Sequence, residues 1–224
     1  MRVSANPTIN SSLNHLRAEN LCCIRGDRQL FSGLDLSVAS GELLYLQGAN
    51  GSGKTTLLRS LCGLFLPDAG DISWNGTPTH QLEESFYRNL LYFGHHAAIK
   101  LELTALENLR LNIQLGGCQN GSQVHDDALW AALADVGLSG FEDLPCKMLS
   151  QGQKRRVALA RLLVDTAPLW ILDEPFTALD VAAVEMLQKV IAGHVERGGL
   201  VILTTHQEVA LTSGQVKHVR LGRH

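Results

Sequence analysis

The sequence predicts an α/β fold with a mostly parallel core sheet, and three observations carry that prediction. Apolar strand-like runs alternate with helix-like segments along most of the 224 residues. Gly48-Ala49-Asn50-Gly51-Ser52-Gly53-Lys54-Thr55 has the form G-x-x-x-x-G-K-[ST]. Such a phosphate-cradling loop belongs between a buried strand and a helix, and Glu42 to Leu46 and Lys54 to Leu64 read as those two elements. Apolar residues make up 45% of the chain, enough for the core of one large domain, with or without a subdomain.

In order, Leu16 to Ile24, Leu34 to Val38 and Leu43 to Gly48 read as strands, with Arg25-Gly26-Asp27 as a turn. The helix after the loop is expected to end near Gly63. Pro67 to Gly70 then turns into the strand Asp71 to Trp74, and Asn89 to Phe93 is a further strand. The middle changes character. Thr104 caps a helix from Ala105 to Leu115, with Glu107 placed as in a capping box. Gly116 to Ser122 is a turn-rich linker, and Asp126 to Val136 is helical and closed by Gly137. Alternation then resumes: helix Gly152 to Val164, strand Leu169 to Leu172, helix Val181 to Glu196, strand Leu200 to Thr204, a short helix near Gln207 and strand Val216 to Leu221. Strands joined through helices imply right-handed parallel crossovers.

The bulk numbers narrow the function. A net charge of -3 and a pI near 6.3 leave no nucleic-acid footprint. Five cysteines, an odd count without a C-x-x-C pair, argue against a disulfide framework or zinc site and for reduced, mostly buried thiols in a cytosolic protein. Adjacent His95 and His96 make a poor metal pair. Met1 to Asn14 is polar and lacks an apolar core, so it reads as a disordered extension rather than a signal peptide. No run of eighteen apolar residues is present, so any membrane role is expected to come through a partner.

The chemistry lies in a few loops. In the P-loop, consecutive N–H groups from Gly48 to Thr56 face one phosphate chain, Lys54 brings a charge to it, and the Thr55 hydroxyl is a magnesium ligand. Leu169-Trp170-Ile171-Leu172-Asp173-Glu174 is an apolar strand ending in two carboxylates. Asp173 would hold the magnesium shell, and Glu174, facing the water beyond the γ-phosphate, would be the general base. Ser150 and Gly152, within Leu149-Ser150-Gln151-Gly152-Gln153, start a helix whose free N–H groups and dipole suit an anion. Lys154-Arg155-Arg156 reads by default as a solvated basic turn. His206, past the strand Val201 to Thr205, mirrors Asp173 and could reach the γ-phosphate or its water.

Together these motifs make the chain similar to the ATPase subunits of ABC transporters over roughly Leu16 to Gly222. Gly48 to Thr55 resembles the Walker A loop, Leu149 to Gln153 the signature loop and Leu169 to Glu174 Walker B. Ala178-Leu179-Asp180 resembles the D-loop and His206 the switch histidine. The spacing is 96 residues from Lys54 to Ser150 and 23 from Ser150 to Asp173. The resemblance implies an ABC-type nucleotide-binding domain over residues 16–222, after an extension over 1–15. It adds an antiparallel β subdomain and an inserted helical subdomain, about residues 95–145, that grips a membrane permease. ATP and Mg2+ would sit at a head-to-tail self-dimer, each Walker A facing the other subunit's Ser150, Gln151, Gly152 and Gln153. Two positions depart from the family: His95 stands where glutamine is usual, and Arg25 stands where an aromatic residue stacks on adenine, a role a planar guanidinium can also fill.

The run Gly94 to Leu109, with His95 and then Ile99-Lys100-Leu101-Glu102-Leu103-Thr104-Ala105-Leu106-Glu107-Asn108-Leu109, resembles the cytochrome c maturation ATPases of the CcmA type. That resemblance implies CcmB-like, CcmC-like and CcmD-like membrane partners and a place on the cytoplasmic face of the cell inner membrane. It also implies an ATP-driven step in haem export or delivery and in release of the haem chaperone, with haem met only indirectly. The alternatives are the ATPase of another ABC transporter, which usually keeps glutamine at position 95, or a soluble ABC-type clamp.

Overall fold

The computed structural model describes residues 14–96, 98–116, 124–205 and 214–222. Two sheets organise it. The strands β1 (His15–Arg25), β2 (Arg28–Ala39), β4 (Ala69–Trp74) and β5 (Thr77–Pro78) form an antiparallel sheet in the order β2-β1-β4-β5. The strands β3 (Glu42–Gly48), β6 (Leu90–Phe93), β7 (Leu169–Asp173), β8 (Leu200–Thr204) and β9 (Gln215–Leu221) form a second sheet, β6-β7-β8-β3-β9, whose pairings are all parallel. The helices are α1 (Lys54–Leu61), the short α2 (Thr79–Leu82) and α3 (Glu84–Tyr87), α4 (Ala105–Leu115), α5 (Asp126–Asp135), α6 (Gln151–Val164) and α7 (Val181–Glu196).

The parallel sheet is buried on both faces, as its uninterrupted apolar strands require. On one face Leu44, Leu46, Leu169, Ile171, Leu200 and Ile202 meet α1 and the antiparallel sheet. On the other, Leu43, Tyr45, Trp170, Leu172, Val201 and Leu203 meet α6 and α7. A third core joins Leu106 and Leu109 of α4 and Leu129 and Leu133 of α5 to Val157 and Ala160 of α6. Helix α6 therefore belongs to two cores, with Ala158, Leu159 and Leu162 in the sheet core.

Caps set several boundaries. Thr104 and Glu107 form the expected capping box at α4. Helix α1 stops at Leu61, three residues short of the expected Leu64. Gly63 enters the left-handed region at φ 70, and the N–H groups of Gly63 and Leu64 bond Ser60 O and Arg59 O in a Schellman turn. Strand β2 begins six residues earlier than expected, because Gly33, at φ 60, is absorbed in the strand rather than ending it. The N-terminal extension, most of the Gly116 to Ser122 linker, Cys118, the short helix near Gln207 and His206 lie outside the described residues. Cys22, Cys23, Cys62 and Cys146 are free thiols, and all but Cys22 are buried.

His194 on α7 is buried, stacked on Trp170 at 3.7 Å between ring centroids, and bonded through Nε2 to Pro168 O at 3.1 Å. Burial pushes its pKa down to about 3, against the partial opposition of the Pro168 carbonyl. The unfolded chain therefore takes up a proton below about pH 6.5 that the folded chain refuses, so the stability present above that pH is eroded as pH falls toward 3. Urea unfolding at pH 7.5 and pH 5 should show a loss of about 2 kcal/mol attributable to this residue. A His194→Phe variant should lose that part of the pH slope.

Candidate functional site

The carboxyl ends of β3, β7 and β8 meet at one edge of the parallel sheet, and the chemistry-bearing residues lie there. Register places Thr204 level with both Leu46 of β3 and Asp173 of β7. Asp173, 2% exposed, accepts hydrogen bonds from Thr55 Oγ1 at 2.8 Å and from Thr204 Oγ1 at 2.8 Å. Thr204 Oγ1 in turn accepts the backbone N–H of Glu174 at 2.9 Å. One buried carboxylate thus ties the first turn of α1 to β8, and the same threonine aligns the residue that follows the carboxylate.

The P-loop geometry explains its glycines. Gly48 has φ 155, and a Cβ there would come within 2.5 Å of Ser52 Oγ and 3.1 Å of Leu221 O. Ser52 Oγ is buried and has no hydrogen-bond partner among the described residues. Lys54 starts α1 and is nearly buried; its ammonium donates to Gly48 O at 2.7 Å and Ala49 O at 3.3 Å, inside the curve of the loop. The loop opens into a cleft of about 590 Å³ whose walls include Arg25, Leu30, Asn50, Thr56, His95 and Glu174. Thr55 lines the cleft and donates to the buried Asp173 carboxylate, and these two oxygen donors are the hard-ligand type that suits magnesium.

Glu174 is half-buried and has φ 49, in the left-handed region, a conformation that costs a non-glycine residue roughly 1–2 kcal/mol. Thr204 holds its N–H, Arg155 Nη2 donates to its carbonyl at 2.8 Å, and Thr177 Oγ1 donates to its carboxylate at 3.3 Å. Held strain of this kind at the mouth of a cleft points to function.

The remaining expected residues fall into two groups. Arg25 and His95 share the cleft with the P-loop. The Arg25 guanidinium lies 4.2 Å over the Phe65 ring centroid, and the His95 and His96 rings meet edge to face. By contrast, none of the described cleft walls comes from Ser150, Gln151, Gly152 or Gln153. Ser150 N-caps α6 in a capping box: its Oγ accepts Gln153 N–H at 3.2 Å, while Gln153 Oε1 accepts Ser150 N–H at 2.9 Å. Ser150 and Gln151 are exposed and Gly152 is partly so. Asp180 caps α7 through Ala183 N–H and pairs with Arg156. The Ala183 N–H, with help from Arg156, holds its carboxyl below the usual range.

Three participants escaped the sequence reading. Thr204 had been only the end of an apolar strand. Thr177 had no distinguishing pattern. The basic run Lys154-Arg155-Arg156 is not a solvated turn but lies inside α6, with Arg155 buried and Arg156 donating to Val136 O. The helix expected from Gly152 to Val164 already encloses this run; what its pattern does not show is that Arg155 turns inward.

Residues 31–177 match the ABC transporter family. The chain is 54% identical over 207 residues to a cytochrome c biogenesis ATP-binding export protein, CcmA, of Dechloromonas aromatica, covering 92% of this chain and 100% of that protein. It is 49% identical over 206 residues to the Escherichia coli K12 protein of the same name, covering 92% and 96%. In fold it is similar to a dimeric ATP-binding cassette solved in a post-hydrolysis state with ADP and phosphate, with a TM-score of 0.79, 23% identity, and coverage of 93% and 97%.

Replacing Thr204 by valine keeps the shape and removes the hydroxyl that serves Asp173 and Glu174. Leaving a buried carboxylate oxygen and an N–H underserved should lower unfolding free energy by about 2–4 kcal/mol in urea titrations. Thr204→Ser should recover most of it.

Proposed function

We propose, from the premise that the chain belongs to the ABC transporter family and within it to the cytochrome c biogenesis ATP-binding export proteins, that its cleft is one half of an ATP-hydrolysing site completed by a second copy. The protein is an ATPase subunit of the cytochrome c biogenesis and haem-export system. The observation that carries the half-site reading is the separation just described: P-loop residues and Glu174 wall one cleft, with Asp173 buried behind Thr55, while Ser150 is exposed and neither it nor Gly152 lines that cleft.

In this reading the N–H groups of Gly48 to Thr56 and the Lys54 ammonium hold the phosphate chain. Arg25, propped on Phe65, offers its free guanidinium face to the adenine ring. Thr55 and Asp173 hold Mg2+, which supplies charge neutralisation on the phosphate oxygens when bound. Glu174 accepts the proton of the attacking water as its oxygen bonds to the γ-phosphorus and the bond to the bridging β–γ oxygen breaks, giving ADP and phosphate. His206 and His95 hydrogen-bond the γ-phosphate or its water. The partner copy's signature turn caps the nucleotide with a hydroxyl, an amide and the α6 dipole, and Asp180 lies in the D-loop between the sites.

The membrane side is read from a second groove, about 630 Å³, whose lining includes Leu64, Glu84, Tyr87, Arg88, Leu115 and Arg161. Leu64 and Leu115 are 60% and 76% exposed. Exposed leucines beside the ion-paired Arg88 and Arg161 suit a cytoplasmic helix of CcmB-like or CcmC-like permease subunits, with a CcmD-like protein beside them. Among the described residues no helix is long and apolar enough to cross a membrane. Attachment to the inner membrane is therefore read as peripheral, with haem held by the membrane partners.

Glu174→Gln should bind ATP and lose turnover by at least ~10²-fold; near-normal phosphate release would remove Glu174 from the base role. Capture of the tagged chain from detergent-solubilised membranes should bring down cytochrome c biogenesis membrane proteins by mass spectrometry. A permease of another class would displace that assignment.

A further inference from the structure

Arg155 is a guanidinium only 7% exposed, in the second turn of a helix that begins with the signature turn. Burying a charge is unfavourable unless its donors are answered. Here Nη1 donates to His95 O at 3.0 Å, Nη2 donates to Glu174 O at 2.8 Å, and the carbon of the guanidinium lies 4.4 Å over the Phe93 ring centroid. Nε has no partner among the described residues, so the fork is committed to those two carbonyls. Burial lowers the pKa of the group, and the carboxylates of Asp173 and Glu174 oppose that. An arginine nonetheless remains charged.

The two carbonyls belong to segments that follow adjacent parallel strands, β6 and β7. One is the glutamine-replacing His95; the other is the strained carboxylate-bearing Glu174. Thr204 grips Glu174 from its N–H side and Arg155 from its carbonyl side, so the left-handed backbone is clamped at both ends. Helix α6 is itself fixed by two cores. A displacement of its N-terminus, where Ser150 would meet the partner's nucleotide, is thereby passed through one planar side chain to both the catalytic carboxylate and the His95 segment. Lysine cannot do this. Its ammonium is a point charge without a planar fork.

We infer that Arg155 is a positioning residue for hydrolysis, registering the signature helix with Glu174 and His95 so that turnover depends on it and nucleotide affinity does not. This rests on the reading of Glu174 as general base. The test measures steady-state ATP hydrolysis and fluorescent ATP-analogue binding by the full chain carrying Arg155→Met, Arg155→Lys or Glu174→Gln, each checked for a cooperative thermal transition. Arg155→Met should lower kcat by ~10–100-fold, as misplacement of a catalytic group by an ångström does. Its nucleotide affinity should stay within about threefold of wild type, and Arg155→Lys should follow Arg155→Met rather than rescue it. If Arg155→Met does not fold, Arg155→Lys carries the test alone. A folded Arg155→Lys with kcat within about twofold of wild type overturns the inference, and so does loss of binding in step with loss of turnover. Normal hydrolysis by Glu174→Gln removes the base reading and this inference with it. An inactive Glu174→Gln beside a normal Arg155→Met removes this inference alone.

Discussion

The carboxylate of Asp173 is the point on which the site depends. It is buried at the end of a strand that is itself buried on every residue, and water cannot satisfy it. Two hydroxyls do so, Thr55 from α1 and Thr204 from β8, and each belongs to an element that carries other chemistry. Thr55 ties down the first turn of α1. Thr204 spends its acceptor on Glu174, orienting the residue read as the base. A buried carboxylate left without partners would be costly. The requirement to pair it brings three elements into register before any nucleotide arrives.

Helix α6 extends that constraint outward. Sharing its flanks between the sheet core and the helical core, it cannot move relative to one without straining the other. Its N-terminus presents Ser150 to the surface, and Arg155 anchors it to the segments behind β6 and β7. The cleft around Lys54 and the exposed turn at Ser150 are thus joined through α6 and Arg155. In the proposed pair each cleft faces the other copy's Ser150 turn, the reciprocal contact of an isologous two-fold dimer.

Much of this was legible in the chain. Periodicity and caps placed α4 at Ala105–Leu115, α7 at Val181–Glu196 and β8 at Leu200–Thr204 without error, because Thr104 with Glu107 and the apolar run Leu200 to Leu203 are strong local signals. The P-loop and Asp173 came from spacing and strand position. What stayed hidden was set by tertiary structure. Arg155 sits in a basic run that would be solvated were it not turned inward by the packing of α6. Thr204 acquires its role only from the register of β7 on β8. The short helices α2 and α3, four residues each, are too brief for any periodic signal.

The most direct measurement of the half-site arrangement is sedimentation of purified Glu174→Gln protein with and without Mg2+ and ATP. A shift from monomer to dimer on adding nucleotide is expected, abolished by a further Ser150→Arg substitution that leaves ATP binding intact. A chain that stays monomeric with bound ATP, or a dimer indifferent to Ser150, would contradict a site shared between two copies.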